Sequence, residues 1–308
     1  MTLYLPRTTT AQITEALMAE RHSVGGGAMN MVLTLVIVTD EADHYDAVRA
    51  ATEAGHEHPS RVVALIRRDP DAEPAIDAEI RRPGTSGPGE AVLLRLYGPL
   101  GQHADSVVTP LLVPDAPVVA WWPGVGPVAP AEDPVGRLAQ RRITDALRAP
   151  DPVRDLADRV ANYRPGDTDL TWTRLTPWRS LLASAMDQPC GWVTSARVTA
   201  EDYYPSAELM ASWLSDRLEV SVERASSHGP GLTEVRLTTE HGDITISRVD
   251  GRVATLSRFG QPDQTVALAR RSASQALAEE LRRLDADETY ESAARHLGAS
   301  LTPSGGQG

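Results

Sequence analysis

Two clusters of tryptophan and arginine are the residues in this chain best suited to recognition. Trp121-Trp122 stand immediately before Pro123-Gly124, and Arg141-Arg142 follow before Ile143-Thr144-Asp145. Trp172, Arg174, Trp178 and Arg179 form the second cluster. Paired guanidiniums grip phosphate or carboxylate through bidentate hydrogen bonds. Tryptophan and arginine are also favoured anchors where proteins meet. Each has an internal reading as well. The tryptophan pair can be core side chains under helices, and the arginine pair a solvated helix face. Arg174 and Arg179 can stack on Trp172 and Trp178 as cation–π pairs inside a domain boundary. Adjacent residues of a strand point to opposite faces, so one of Trp121 and Trp122 is expected in the core and the other outside. Trp121, Trp122, Arg141, Arg142, Trp172, Arg174, Trp178 and Arg179 are therefore the candidate partner-interface residues.

Residues for bond-making chemistry are harder to find. The chain has no lysine, so all 30 of its Lys+Arg are arginine. That removes the phosphate-loop lysine, the Schiff-base amine and the kinase strand lysine together. No Gly-x-Ser-x-Gly elbow is present. His56 and His58 flank Glu57, but no third ligand stands nearby, and a polar loop is expected there. Gly25–Gly27 precede an apolar run, whereas a nucleotide loop follows a strand and opens a helix. Cys190, between Pro189 and Gly191, has no local histidine partner. No catalytic, cofactor-binding or metal-ligating residue is assigned, and no cofactor is expected.

The composition bounds the partners. The sequence has 308 residues, a formal net charge of −12 and 41% hydrophobic residues, enough for a core and for two domains. An acidic chain is a poor nucleic-acid binder, because counterion release needs a basic surface. With one cysteine there is no intrachain disulfide framework, and a reducing cytoplasm fits. The first residues lack a basic start followed by an apolar core, so no secretory leader is expected. The longest apolar run, Met31–Val38, falls far short of the ~20 residues of a membrane helix, so no membrane partner is expected.

The elements that must position these residues come from periodicity. Helices are expected over 8–21, 43–53 and 103–112, and buried strands over 32–39, 61–67, 91–97 and 117–122. A short edge strand is expected over 77–82. Residues 137–147 and 153–163 read as helices or a helix–strand pair, and Pro177 opens a helix through Met186. Strands alternating with helices indicate an α/β domain with a mainly parallel sheet over 1–166. The rest changes character. A strand over 192–199, a helix over 205–217 and closely spaced strands over 219–225, 232–239, 243–249 and 252–256 follow. His241-Gly242-Asp243 and Asp250-Gly251 are hairpin signals between them. Helices are expected over 272–284 and 292–297. Residues 167–308 thus read as an α+β domain with an antiparallel meander and C-terminal helices.

Several strings together carry a resemblance. They include Val32-Leu33-Thr34-Leu35-Val36-Ile37-Val38, His58-Pro59-Ser60-Arg61-Val62, Leu94-Arg95-Leu96-Tyr97-Gly98 and His103-Ala104-Asp105-Ser106. The stretch from Leu111 to Gly124, Gln140-Arg141-Arg142-Ile143-Thr144-Asp145, and the stretch from Asp169 to Arg179 continue it. Pro205-Ser206-Ala207-Glu208-Leu209 and Trp213-Leu214 extend it into the second half. The chain resembles the OpcA family, the glucose-6-phosphate dehydrogenase assembly proteins of actinobacteria and cyanobacteria. The resemblance implies a non-catalytic protein that binds glucose-6-phosphate dehydrogenase, promotes its active oligomer and raises NADPH supply through the oxidative pentose phosphate pathway. The alternative is a sugar-phosphate-binding protein or enzyme with its own ligand, held by Arg141 or Arg142. Cyanobacterial members are linked to thioredoxin control, but with Cys190 alone no intrachain dithiol can form within this sequence.

Overall fold

A computed structural model of the chain describes residues 2–23, 31–81 and 90–301. Gly25–Gly27 lie outside them. In chain order the first elements are β1 (Thr2–Leu5), α1 (Thr10–Ser23), β2 (Leu33–Asp40), α2 (His44–Ala54), β3 (Ser60–Arg67), β4 (Ala75–Arg81), β5 (Glu90–Tyr97) and α3 (Ala104–Val108). They continue as β6 (Val118–Trp121), β7 (Arg141–Thr144), α4 (Pro152–Ala161), β8 (Asp167–Asp169), α5 (Leu170–Thr173) and α6 (Thr176–Met186). The remainder are β9 (Val193–Ala200), α7 (Pro205–Leu218), β10 (Val222–Ser226), β11 (Leu232–Thr239), β12 (Ile244–Ser247), β13 (Val253–Arg258), β14 (Gln264–Ala267), α8 (Ala273–Leu281) and α9 (Glu288–Leu301).

Two compact units result. One comprises Met1–Asp145, Gly166–Thr168 and Ala273–Ala286; the other comprises Ala146–Pro165, Asp169–Ser272 and Asp287–Gly308. The sequence reading drew a single cut after residue 166, whereas the chain path interleaves. Helix α8 is the reason: it packs on α2, and Arg282 reaches Glu57 at 2.6 Å, so residues 273–286 join the first unit.

The first unit is an α/β layer structure on a mostly parallel sheet, ordered β1-β4-β5-β3-β2-β6-β7-β8. Strands β5, β3, β2, β6 and β7 pair in parallel with one another in that order, while β4 joins β5 and β1 joins β4 antiparallel. Strand β2 is buried from Leu33 to Val38, and β3 from Ser60 to Ile66. Their runs of Val, Ile and Leu suit a sheet covered on both faces. Val36, Val63, Leu65, Val92 and Leu94 pack with Ile13 and Leu17 of α1 and with Val107, Val108 and Leu111. Burying each such side chain stabilises by about 1.5–3 kcal/mol.

Three expectations change here. The strand expected at the edge, β4, is covered by β1, whose four residues are too short to show a period. Residues 103–112 do not form one helix: α3 holds five residues, and Pro110 sits in a 3-10 turn after it. Within 137–147, Arg141–Thr144 is a strand because it pairs with β6 in the buried sheet.

The second unit carries a mostly antiparallel sheet, ordered β10-β9-β11-β12-β13-β14. Only β9 and β10 pair in parallel; β11 to β14 form an antiparallel meander. Val198, Val235, Ile246 and Leu256 lie in register across four strands, all buried. Helix α7 covers this face with Leu209, Met210 and Leu214, and α9 packs on α7. The opposite face carries Ser195, Arg197, Glu234, Arg236, Thr245 and Ser257, none of them buried. Strand β14 escaped the sequence reading because its Gln-Thr-Val-Ala run has no buried residue.

Candidate functional site

The structure takes most of the tryptophan–arginine candidates inside. Trp121 and Trp122 are each 1% exposed. They do point to opposite faces of the sheet, but both faces are covered, so the expected exposed partner is interior too. Arg141 and Arg142 lie on β7 rather than on a solvated helix. Arg141 donates from Nε to Glu280 at 3.2 Å and from Nη1 to the Asp285 carbonyl at 2.9 Å. Arg142 pairs with the Asp167 carboxylate and donates to the Ala139 carbonyl at 2.8 Å. Both guanidiniums are committed to carboxylates of their own chain, so neither is available for a sugar phosphate.

The second cluster is a buried polar network. Asp169 is fully buried and accepts from the Ala146 N–H at 3.0 Å, the Thr171 N–H at 2.9 Å and the Thr171 hydroxyl at 2.7 Å. Arg159 lies 3.3 Å from the same carboxylate. Trp172 donates its indole N–H to Asp287 at 2.9 Å, and the Arg179 guanidinium stacks 3.6 Å above its ring. Trp178 is buried, with Arg248 4.9 Å over its ring. The cation–π reading therefore holds for Trp172 with Arg179, while Arg248 takes the place expected for an arginine beside Trp178. Arg174 and Arg179 are half-buried.

A parallel sheet of this winding binds ligands outside the carboxyl ends of its strands, where the order reverses. That point lies between β2 and β6. A dinucleotide site would put a glycine turn and free amides there. The turn after β2 reads Asp40-Glu41-Ala42-Asp43 instead. Asp40 accepts from the N–H groups of Ala42 and Asp43, both at 3.0 Å, so the chain's own carboxylate occupies the amides that would cradle phosphate. Across from them, a Cβ on Gly124 would meet Asp43 Oδ2 at 3.1 Å. Glu41 lies 2.8 Å from Arg68 and 3.4 Å from Arg95. Burial pushes the Glu41 carboxyl up, but the Arg68 hydrogen bond and the charges of Arg95 and Arg68 outweigh it and hold the group below the usual glutamate range. Asp40 thus holds the two turn amides that a pyrophosphate would need.

Beyond the crevice, at the carboxyl ends of β3 and β5, lies a cavity of about 390 Å³. Arg67, Arg68, Gln102 and Asp133 supply its polar lining, and Pro70, Pro134 and Val135 its apolar wall.

On the second unit, Trp192 is 80% exposed and Phe259, the only phenylalanine of the chain, 79% exposed. Both flank the turn between β11 and β12. Trp192 N–H donates to Glu240 at 3.2 Å, and a Cβ on Gly242 would lie 2.4 Å from Phe259 Cβ. Sequence reasoning missed this pair. Each stands alone next to a strand end, and no period marks it as external.

Among the described residues, no three His, Cys, Asp or Glu side chains are grouped to hold a metal ion. Glu57, between His56 and His58, is paired with Arg282. No described helix is long and apolar enough to cross a membrane.

Residues 51–161 match the family model described as glucose-6-phosphate dehydrogenase subunit N-terminal domain, and residues 165–294 match its C-terminal counterpart. The chain belongs to the OpcA family. A curated relative, the putative OxPP cycle protein OpcA of Synechocystis sp., is 28% identical over 160 residues, 47% of this chain. The match spans about a third of that relative's length, 32%. Among solved structures, a 3-ketoreductase from Actinomadura kijaniata is similar at 10% identity with TM-score 0.49, covering 86% of this chain and 95% of its own. Glucose-6-phosphate 1-dehydrogenase from Mycobacterium avium is similar at 10% identity with TM-score 0.40, covering 89% and 93%.

Proposed function

We propose that this chain binds glucose-6-phosphate dehydrogenase and acts as its non-catalytic assembly partner and activator in the oxidative pentose phosphate pathway, in the cytoplasm. The observation that carries the reading is the pair of family matches, one over 51–161 and the other over 165–294. The crevice between β2 and β6 supports the non-catalytic part, since Asp40 closes the amides a nucleotide would need. Activation requires that the chain bind the active oligomer better than its subunits. A tenfold shift takes about 1.4 kcal/mol of differential affinity, well within one interface residue's reach.

The proposed contact is the Trp192–Phe259 end of the second sheet. Large exposed aromatics beside a tight turn are hot-spot material, and six of the eight residues first considered are buried. Arg174 and Arg179, half-buried, are peripheral to this reading. The test is binding of the purified dehydrogenase to an immobilised chain. Trp192→Ala and Phe259→Ala should each weaken binding at least tenfold while far-ultraviolet circular dichroism is unchanged. Binding at wild-type strength by both variants would move the contact elsewhere; no binding by the wild type would remove the function.

A further inference from the structure

We propose that the cavity at the carboxyl ends of β3 and β5 binds a sugar phosphate, with Arg67 holding the phosphate and Asp133 and Gln102 facing the sugar hydroxyls. In a doubly wound sheet, strand carboxyl ends form the ligand edge, and the crevice next door is closed by the Asp40 carboxylate. The cavity, about 390 Å³, is within the size range of small-molecule sites.

Charge comes next. Arg68 is committed: it pairs with Glu41 at 2.8 Å and lies 5.8 Å over the Tyr97 ring. Arg67 is exposed, and its guanidinium has no ion-pair or hydrogen-bond partner among the described residues. Its stem runs beside Gly101, where a Cβ would meet Arg67 Cγ at 3.8 Å. A guanidinium held at a cavity wall with its donors unused is suited to a phosphomonoester, which it meets with two parallel hydrogen bonds.

The remaining lining sets the class of ligand. Asp133 Oδ1 accepts from the N–H groups of Val135 at 2.9 Å and Gly136 at 3.2 Å, which fixes the carboxylate in place. A fixed carboxylate repels a bare anion but accepts hydrogen bonds from hydroxyls. Gln102, exposed, offers both a donor and an acceptor. Pro70, Pro134 and Val135 give an apolar wall for the C–H face of a sugar ring. Phosphate at one end and hydroxyls at the other are what this lining selects, so inorganic phosphate is a poor ligand and an uncharged sugar lacks its anchor.

Isothermal titration of the full chain decides it, with glucose 6-phosphate, ribose 5-phosphate, glucose and inorganic phosphate as probes. At least one sugar phosphate should bind, and inorganic phosphate and glucose should each bind at least tenfold more weakly. Arg67→Ala should weaken sugar-phosphate binding tenfold or more, and Gln102→Ala two- to fivefold, both variants keeping the wild-type melting temperature because both side chains are exposed. The proposal is overturned if neither sugar phosphate gives heat at about 10 mM, if inorganic phosphate binds as well, or if both variants bind like the wild type. None of these readings involves the dehydrogenase, so the result stands apart from the proposed partnership.

Discussion

A buried arginine is held in place by the carboxylate it faces. Arg142 and Asp167 are both interior, and removing either leaves the other charge without its counter-ion in a poor solvent. Arg142→Ala should therefore lower unfolding stability by about 3–5 kcal/mol, read as a shift in urea midpoint, while Arg142→Met with Asp167→Leu restores most of it. An unchanged midpoint for the single variant would contradict the burial of the pair. Glu41 provides the pH counterpart. Its folded carboxyl titrates below its unfolded value, so its contribution is present above the unfolded range and is lost as pH falls through the folded value. The stability gap between wild type and Glu41→Gln should thus be widest near neutrality and close as pH falls from the ordinary glutamate range through the lower folded value. A gap that widens on acidification would reverse the assignment. At this scale the sequence was partly legible. It singled out Arg141 and Arg142 as a pair suited to carboxylate or phosphate, but weighed a solvated helix face above that reading, and the pair lies on a buried strand. It could not show that the carboxylate was Glu280, 139 residues away, because only the folded sheet brings the two together.

At the scale of elements, legibility followed burial pattern. Strands β2 and β3, buried along nearly their whole length, and β11 and β12, alternating buried and open, announce themselves by period. Strand β7 does not: Arg-Arg-Ile-Thr followed by Asp-Ala-Leu-Arg suits a helix, and pairing with β6 overrides that local preference. The turn between β11 and β12 was expected from His241-Gly242-Asp243, and its geometry carries a prediction. Gly242 has φ of +117°, and a Cβ there would meet Phe259 Cβ at 2.4 Å. Gly242→Ala should open this hairpin end and displace Phe259, destabilising by about 1–3 kcal/mol. Amide exchange should accelerate at 239–244 and at 258–259 while the first unit keeps its protection. Wild-type protection in that turn would show that the alanine is accommodated.

For the whole molecule, the two classes of sheet were readable from the change in spacing between strands, whereas the return of residues 273–286 to the first unit was not. Nothing local in Ala273–Leu281 tells which unit its apolar face covers; α2 supplies that answer from more than two hundred residues upstream. The exposed aromatic surface was hidden for a related reason. Tryptophans clustered with arginines look like an interface in sequence, but the fold packs those clusters inside and leaves the isolated Trp192 outside. Assembly of glucose-6-phosphate dehydrogenase remains the claim on which the account turns. The most direct measurement titrates this chain into the purified dehydrogenase of the same organism, recording NADPH production and mass by light scattering in one sample. The account predicts that activity rises to saturation as a larger complex forms, with one break point for both signals. Activity and mass that stay flat across glucose 6-phosphate concentrations would contradict it.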